Sequence, residues 1–225
     1  MSDPVSDSAA APPPPSQDRS PAAPLFCWLA IHLLALSLAV FRVPLSARFP
    51  LPGEQFAIHL TLAAAVVASA MLFPFLLRDA KTSVMMILTI APFVQLSSYL
   101  SLIPPGRAAL AGLYVATWLI TLALWRTVLR SQRAQMLGVS CALALSMGGA
   151  ILWYVRAESP QPEPIDWSRD GMCGPILGAM AQLHARPVPP STWIISVLLL
   201  VVSSVIVITV RKRRVGRSGT IRGAA

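Results

Sequence analysis

The chain has 225 residues, of which 55% are hydrophobic and only 12% are charged, and its mean hydropathy is +0.65. A soluble globular domain usually carries about 25% charged residues. This composition excludes an ordinary cytosolic enzyme, a coiled coil, a disordered regulator and a disulfide scaffold. It predicts an all-α polytopic membrane protein.

The net charge of +9 comes from basic residues whose distribution does not indicate a nucleic-acid partner. Six of the 18 basic residues lie in the last fifteen positions, and the others lie singly or in small groups between apolar stretches. Basic residues are retained on the cytoplasmic side of a membrane, so this pattern is typical of topology signals. The sequence therefore predicts a lipid bilayer as the main partner, with other membrane proteins as further candidates and no nucleic acid.

Residues 1–24 are rich in Pro, Ser, Ala and Asp and contain the run Pro12–Pro15. Such a segment holds too little apolar surface to fold, and it has no basic stretch typical of a signal peptide. We expect a disordered cytoplasmic tail that serves as a solvated spacer. Docking of the proline run to a partner is the alternative.

Six apolar segments follow the tail, and none contains an acidic residue. Each is close to the roughly 20 residues that cross about 30 Å of hydrocarbon, where the backbone must satisfy its own hydrogen bonds as a helix. The predicted spans are Leu25–Val43, Phe56–Leu77, Val84–Ile103, Ala108–Trp125, Met136–Val155 and Trp193–Val210. Residues 25–155 thus form a five-helix membrane domain, 156–192 a loop, 193–210 a sixth helix and 211–225 a basic tail.

Charge also predicts the orientation of these spans. With both termini in the cytoplasm, twelve basic residues lie inside and six outside, and the loop 156–192 is extracytoplasmic. That loop holds four of the nine acidic residues. Because Arg greatly outnumbers Lys and Ala is abundant, the sequence indicates a GC-rich bacterial genome, and hence a multi-pass protein of the cell inner (plasma) membrane.

The predicted spans contain two histidines and one glutamine: His32, His59 and Gln95. Buried polar groups in a membrane are costly and often functional. The two histidines lie on antiparallel helices at different depths, separated by roughly 15 Å along the membrane normal at 1.5 Å per residue. A b-type haem would fit this pair badly, so we interpret all three residues as hydrogen-bonding contacts between helices. Pro74 and Pro92 are predicted to kink their spans.

Small residues four positions apart predict close helix packing in three spans. The pairs are Ala64 with Ala68 and Gly112 with Ala116, and the fifth span repeats Ser140, Ala144 and Gly148. We call each such row of small residues on one helix face a seam. These seams favour packing between helices within the bundle, and the alternative is an interface with a partner protein.

Basic residues form a predicted cytoplasmic collar. Arg126, Arg130 and Arg133 have the spacing of one face of a helix leaving the membrane, and Arg211, Lys212, Arg213 and Arg214 follow the last span. Anionic headgroups attract such residues by about 1 kcal/mol each. We therefore expect these seven residues to contact lipid headgroups.

The extracytoplasmic loop holds the remaining candidate site. Ile176, Leu177, Met180 and Leu183 recur at helical spacing, which predicts a short helix on the membrane surface. Cys173 and His184, with Asp166 and Asp170, supply enough ligands for a metal or thiol site but show no recognised zinc spacing. A loop that caps the bundle is the favoured interpretation, and no metal or cofactor is predicted.

The chain from about Ile87 to Ile151 resembles the membrane domain of the Yip1 family. The residues that carry the resemblance are Ala91-Pro92-Phe93, Leu102-Ile103-Pro104, Gly106, Leu113-Tyr114 and Arg133-Ala134. Members of that family have a cytoplasmic N-terminal region and about five spans, and eukaryotic members take part in vesicle trafficking with small GTPases. This chain departs from the pattern by its long loop and sixth span, and the resemblance assigns no functional residue.

The absence of a buried acid, a nucleotide-binding loop or a metal-ligand spacing predicts a protein that is not an enzyme. The leading hypothesis is a structural or interaction subunit of a membrane complex. A small permease or the membrane subunit of a transporter is the alternative, and a b-type cytochrome is a distant third.

Overall fold

The computed structural model describes residues 22–41, 56–76, 80–157 and 166–222. Within these ranges the chain is all-helical and contains no strand, which confirms the all-α prediction. The α-helices are α1 (Ala22–Val40), α2 (Phe56–Met71), α3 (Ala80–Leu100), α4 (Pro105–Val128), α5 (Gln132–Ala157), α6 (Trp167–Asp170), α7 (Pro175–His184) and α8 (Pro190–Arg222). The expectations for the first 21 residues, and for Arg42, Arg48 and Arg78, lie outside the described residues.

Five of these helices are long and apolar enough to cross a membrane, as expected of a membrane protein. They are α1, α3, α4, α5 and α8. The helix α2 is equally apolar but has only 16 residues.

The second predicted span is interrupted near Pro74. The sequence predicts a kinked helix to Leu77, whereas α2 ends at Met71 and is followed by a 3₁₀-helix, Phe73–Phe75, that contains the proline. Proline has no N–H to donate and its ring crowds the preceding turn, so the tighter 3₁₀ pattern replaces the α-helix. Pro92, by contrast, lies inside α3.

The other helices also differ from their predicted boundaries, mostly by being longer. For example, α4 starts at Pro105 instead of Ala108, with proline in the first turn where its missing N–H costs nothing. Hydropathy detects where a helix is apolar, but polar and basic residues continue the same hydrogen-bond pattern beyond that point. The helix α8 therefore reaches Arg222 instead of Val210.

The core of the bundle lies around α2 and α4. Ten of the sixteen residues of α2 are buried, and α2 packs against α1, α3, α4, α5 and α7. The helix α4 packs against α8, α7, α3 and α2. The helix α8, in contrast, packs mainly along α4 and leaves most of its apolar surface exposed.

The helix α7 is the main departure from the predicted organisation. The predicted helical spacing does form a helix, but eight of its ten residues are buried against α4, α5 and α2 instead of lying on a surface. Its approach depends on glycine: a Cβ at Gly149 of α5 would overlap the Cys173 carbonyl, and Gly174 has φ +155°. A side chain at either position would obstruct the chain where it enters the bundle.

Candidate functional site at the α7 end of the bundle

Four elements meet at one end of the bundle, which we call the α7 end. There α2 and α4 begin, and α3 and α7 end. The first turn of α2 is tied to the end of α3 because the Ser101 hydroxyl accepts a hydrogen bond from the Ile58 N–H at 3.0 Å. This bond satisfies one of the N–H groups that the start of a helix leaves without a partner.

Two histidines join α2 to α7 at this end. The Nε2 atoms of His59 and His184 lie 2.6 Å apart, and their rings are stacked with centroids at 4.9 Å. A hydrogen bond between two imidazoles requires that one nitrogen carry a proton and the other not. His59 is buried, so this bond forms in surroundings of low polarity.

Arg107, in the first turn of α4, caps the other side of the same junction. Its guanidinium donates to the backbone carbonyls of Leu183 at 2.8 Å and Ala185 at 3.1 Å, at the end of α7. A cation is favourable at a helix C-terminus, where carbonyl groups lack partners within the helix. We call His59, Arg107 and His184 the α7-end cluster.

The electrostatics of the α7-end cluster favour neutral imidazole. Burial lowers the pKa of His184 below its ordinary value, and the positive charge of Arg107 lowers this pKa further. A second proton would also remove the acceptor from the bond between the two rings. Both effects disfavour a positive charge on His184 in the pair that joins α2 to α7.

A second network ties α7 to the start of α8. The fully buried Gln182 donates from Nε2 to the Thr192 hydroxyl at 2.9 Å, and its Oε1 accepts from the Trp193 indole at 2.8 Å. Trp193 also packs edge-on against Tyr114 of α4, with ring centroids at 5.7 Å. The amide nitrogen and the amide oxygen of Gln182 thus both have partners. This network ties α7 to α8, in addition to the α7-end cluster that ties α7 to α2 and α4.

The α7-end cluster does not have the geometry of a metal site. A metal ion held between two imidazoles needs two bonds of about 2.0–2.1 Å, whereas the two Nε2 atoms are only 2.6 Å apart. Within the described ranges, no group of three or more His, Cys, Asp or Glu side chains could hold a metal ion. The arrangement can share a proton and fix a helix.

The candidate pair Cys173 and His184 is not brought together. The two residues lie at opposite ends of α7, which at 1.5 Å per residue places them roughly 15 Å apart. Cys173 is an exposed free thiol next to the Arg169 carbonyl, while the Asp170 carboxylate accepts the Asp166 N–H at 3.1 Å. Of the four predicted loop ligands, Asp166 and Asp170 therefore contact each other, and His184 lies at the far end of α7 from them.

The polar residues predicted inside the spans are also placed separately. His32 is fully buried beside Phe93 of α3, and its Nδ1 lies 2.9 Å from the Trp28 carbonyl. His59 belongs to the α7-end cluster. Gln95 donates weakly, at 3.4 Å, to the Pro105 carbonyl at the start of α4.

The expectation that Arg126, Arg130 and Arg133 share one helix face is wrong, while the predicted contact of the basic collar with lipid headgroups stays a prediction. Because α4 ends at Val128 and α5 begins at Gln132, Arg126, Arg130 and Arg133 lie on two helices and their connection. Arg126 turns inward and donates to the Pro74 carbonyl at 2.9 Å, which satisfies a group near the interrupted end of α2. Arg130, Arg133, Arg211 and Lys212 are exposed, and the side chains of Arg213 and Arg214 lie outside the described part of the structure.

Sequence reasoning missed Arg107 and Gln182 as site residues. Arg107 is one of the six basic residues predicted to lie outside, and its place two residues after Pro105 is the signal that puts it in the first turn of a helix. Gln182 follows Gly178 by four positions in an otherwise apolar stretch, so both share a helix face. That placement of an amide was the available signal for a buried hydrogen-bonding contact.

Comparison with known proteins gives no relative for this arrangement: no family model, no curated protein and no solved structure matches the chain. The resemblance of residues 87–151 to the Yip1 family stays a prediction.

Proposed function

We propose that this chain is a non-enzymatic integral membrane protein that acts as a structural or interaction subunit of a membrane complex in the inner membrane. The observation that supports this proposal is an exposed seam of small residues on α5. Ser140 and Ala144 are exposed on this helix, and a Cβ added at Gly148 would meet nothing within 4 Å.

The seam on α5 differs from the one on α4. Gly112 of α4 is buried, and a Cβ there would contact Val94 and Ile90 of α3, so this seam serves packing within the bundle. Small residues in membrane helices let two backbones approach closely. Since the described residues leave the α5 seam open, it suits a helix from another chain.

Matched substitutions on two exposed helix faces test the interface. Ala144→Leu and Gly148→Leu should reduce recovery of the partner with the tagged full chain in mild detergent by about fivefold or more, because overpacking an interface costs about 1–3 kcal/mol. Ala30→Leu, on the exposed face of α1, should leave recovery unchanged. Equal recovery with all three variants would contradict the proposal.

We further propose six crossings with both termini in the cytoplasm. The α2 helix and its 3₁₀ continuation together cover residues 56–75. At rises of 1.5 and 2.0 Å per residue they extend about 30 Å, which is enough to cross the hydrocarbon layer. The exposed Arg130, Arg133, Arg211 and Lys212 then face anionic headgroups at the cytoplasmic surface.

A small permease or the membrane subunit of a transporter is the second candidate, and α7 favours it. A short helix buried inside a bundle, with irregular backbone at its start, is tolerated where protein encloses it and is common in transporters. His59→Leu and Gln95→Leu separate the two functions. A transporter should lose flux while it remains folded, whereas an interaction subunit should lose stability or partner recovery.

A further inference from the structure

The last turn of α7 closes the end of the bundle at which the α7-end cluster lies. Leu183, in this turn, is only 4% exposed. The contact between His59 and His184 places the turn against the first turn of α2, whose Ile58 is fully buried. A movement of α7 away from α2 would therefore open this end of the bundle and expose apolar surface on both helices.

Two sets of side-chain contacts hold the last turn of α7, and they differ in their response to pH. The first is the ring pair of His59 and His184, which joins α7 to α2. The second joins α7 to α8 through Gln182, which bonds to Thr192 and Trp193. Histidine changes charge between about pH 5 and 8, whereas an amide, a hydroxyl and an indole do not. A change of pH in this range therefore acts on the attachment to α2 and leaves the attachment to α8.

The geometry of the ring pair limits the number of protons that it can hold. The Nε2 atoms of His59 and His184 face each other at 2.6 Å, so one of them must donate and the other accept. If one ring is charged, it can still donate to the other ring, which stays neutral. If both rings are charged, both Nε2 atoms carry hydrogen and the bond is lost.

The charge next to the ring pair opposes even a single positive charge. Arg107 donates to the Leu183 and Ala185 carbonyls, on either side of His184 in the chain. Burial, and after it the charge of Arg107, lower the pKa of His184. His184 is nevertheless only half-buried, so water can reach it and exchange protons with it.

The other titratable or charged groups described on the elements around α7 lie elsewhere. On α4, Tyr114 lies against Gly178, more than one turn before His184. The remaining groups are Arg186, exposed after α7; Asp166, Arg169, Asp170 and Cys173, before the start of α7; Arg126, at the other end of α4; Arg133 and Cys141, in the first half of α5; and Arg211 and Lys212, far along α8. On the described residues of α2 the titratable group is His59 itself.

We propose that α7 is a lid that acid opens: when His59 and His184 are both protonated, their bond is lost, and the last turn of α7 moves away from α2 while Gln182 keeps it attached to α8. In the proposed orientation this end of the bundle faces outward, so the lid responds to acid outside the cell. The inference concerns movement within one chain and does not depend on the proposed role in assembly.

The number of bound protons sets the size of the response. In the open state each ring is in water and binds a proton with the ordinary histidine pKa of about 6.5. The closed pair can hold at most one additional proton without losing its bond. Opening therefore takes up at least one proton below pH 6.5. The ratio of open to closed molecules should rise about tenfold or more between pH 7.5 and 5.5.

A distance measurement between two nitroxide labels tests the movement in the purified full chain. Arg186→Cys places a label just after α7, and Leu102→Cys places one just after α3, both at exposed positions. The exposed native cysteines are replaced by serine in every sample. Double electron–electron resonance should show one distance at pH 7.5 and a growing second, longer distance at pH 5.5. Return to pH 7.5 should restore the first distance.

Two variants in the same labelled chain test the ring pair. His184→Gln and His59→Gln each keep a side chain that can donate and accept, but each leaves a single titrating ring whose charged form can still bond to the glutamine. In either variant the rise in the open population between pH 7.5 and 5.5 should be at least about threefold smaller than in the parent chain. A rise of the same size in both variants would overturn the proposal.

A second pair of labels distinguishes a moving lid from unfolding of the bundle. Leu102→Cys is combined with Met136→Cys, which is 63% exposed at the start of α5, so neither label lies on α7. This distance should be the same at both pH values. A parallel change in this pair, an irreversible change, or an unchanged distance between the labels at 186 and 102 at pH 5.5 would each contradict an acid-opened lid.

Discussion

Gly178 of α7 lies against Tyr114 of α4, with no room between them for a side chain. A Cβ added at Gly178 would overlap the hydroxyl group of Tyr114, and the ring carbon that carries it lies 2.5 Å away. Tyr114 is itself buried and packed against Trp193, so it has little room to move. The absence of one side chain therefore decides how deeply α7 can enter the bundle.

Gly178→Ala should lower the midpoint of thermal unfolding in detergent by several degrees, because overpacking costs about 1–3 kcal/mol and each kcal/mol shifts a domain of this size by about 2–4 °C. Gly106→Ala is the control, since its Cβ would meet nothing within 4 Å. In a Tyr114→Leu background the extra effect of Gly178→Ala should shrink. An undiminished effect would mean that the contact with Tyr114 is not the cause.

The α7-end cluster should make stability depend on pH. Burial, and after it Arg107, lower the pKa of His184 below the ordinary value of 6.5. As the pH falls below 6.5, His184 binds a proton in the unfolded chain but not in the folded protein. The contribution of His184 to folding stability is therefore fully present above pH 6.5 and is lost as the pH falls toward the lowered pKa. Lowering the pH from about 7.5 to 5.5 should therefore reduce the midpoint of thermal unfolding, which a thermal-unfolding series in detergent measures.

His184→Gln removes the titrating group while it keeps a polar side chain of similar reach. This variant should show a flatter dependence of the unfolding midpoint on pH over the same range. An unchanged slope would place the pH dependence in other groups.

At the scale of elements, α7 shows what the hydrophobic pattern could and could not predict. The spacing of Ile176, Leu177, Met180 and Leu183 predicts a helix, and the helix forms over Pro175–His184. Its depth was not predictable from that pattern, because an apolar face can pack on a membrane surface or on other helices equally well. The glycines at 149 and 178 and the amide of Gln182 favour the bundle.

Adjacent glycines in α5 provide a test of how α7 is inserted. Gly149→Ala should raise the rate of Cys173 alkylation severalfold, because a Cβ would displace the Cys173 carbonyl and open the start of α7. Gly148→Ala, one position earlier, should leave the rate unchanged since nothing lies within 4 Å of its Cβ. Similar rates in both variants would contradict the insertion of α7 at Gly149.

At the scale of the whole molecule, the proposed orientation can be measured with the native cysteines. If both termini face the cytoplasm, a membrane-impermeant maleimide added to intact cells should modify Cys173 but not Cys27. Modification of Cys27 after the cells are opened is the positive control. Labelling of Cys27 in intact cells would contradict the proposed orientation and indicate the opposite one.

The sequence by itself determined that the chain is a bundle of apolar helices, because composition and segment length depend only on transfer of side chains and backbone into an apolar medium. It did not determine the partners of the polar residues. His59 was placed on the correct helix, yet its partner, His184, follows 125 positions later. Only the tertiary structure decided that pairing, and with it the burial of α7, because both depend on packing between segments that are far apart in the chain and follow no local period.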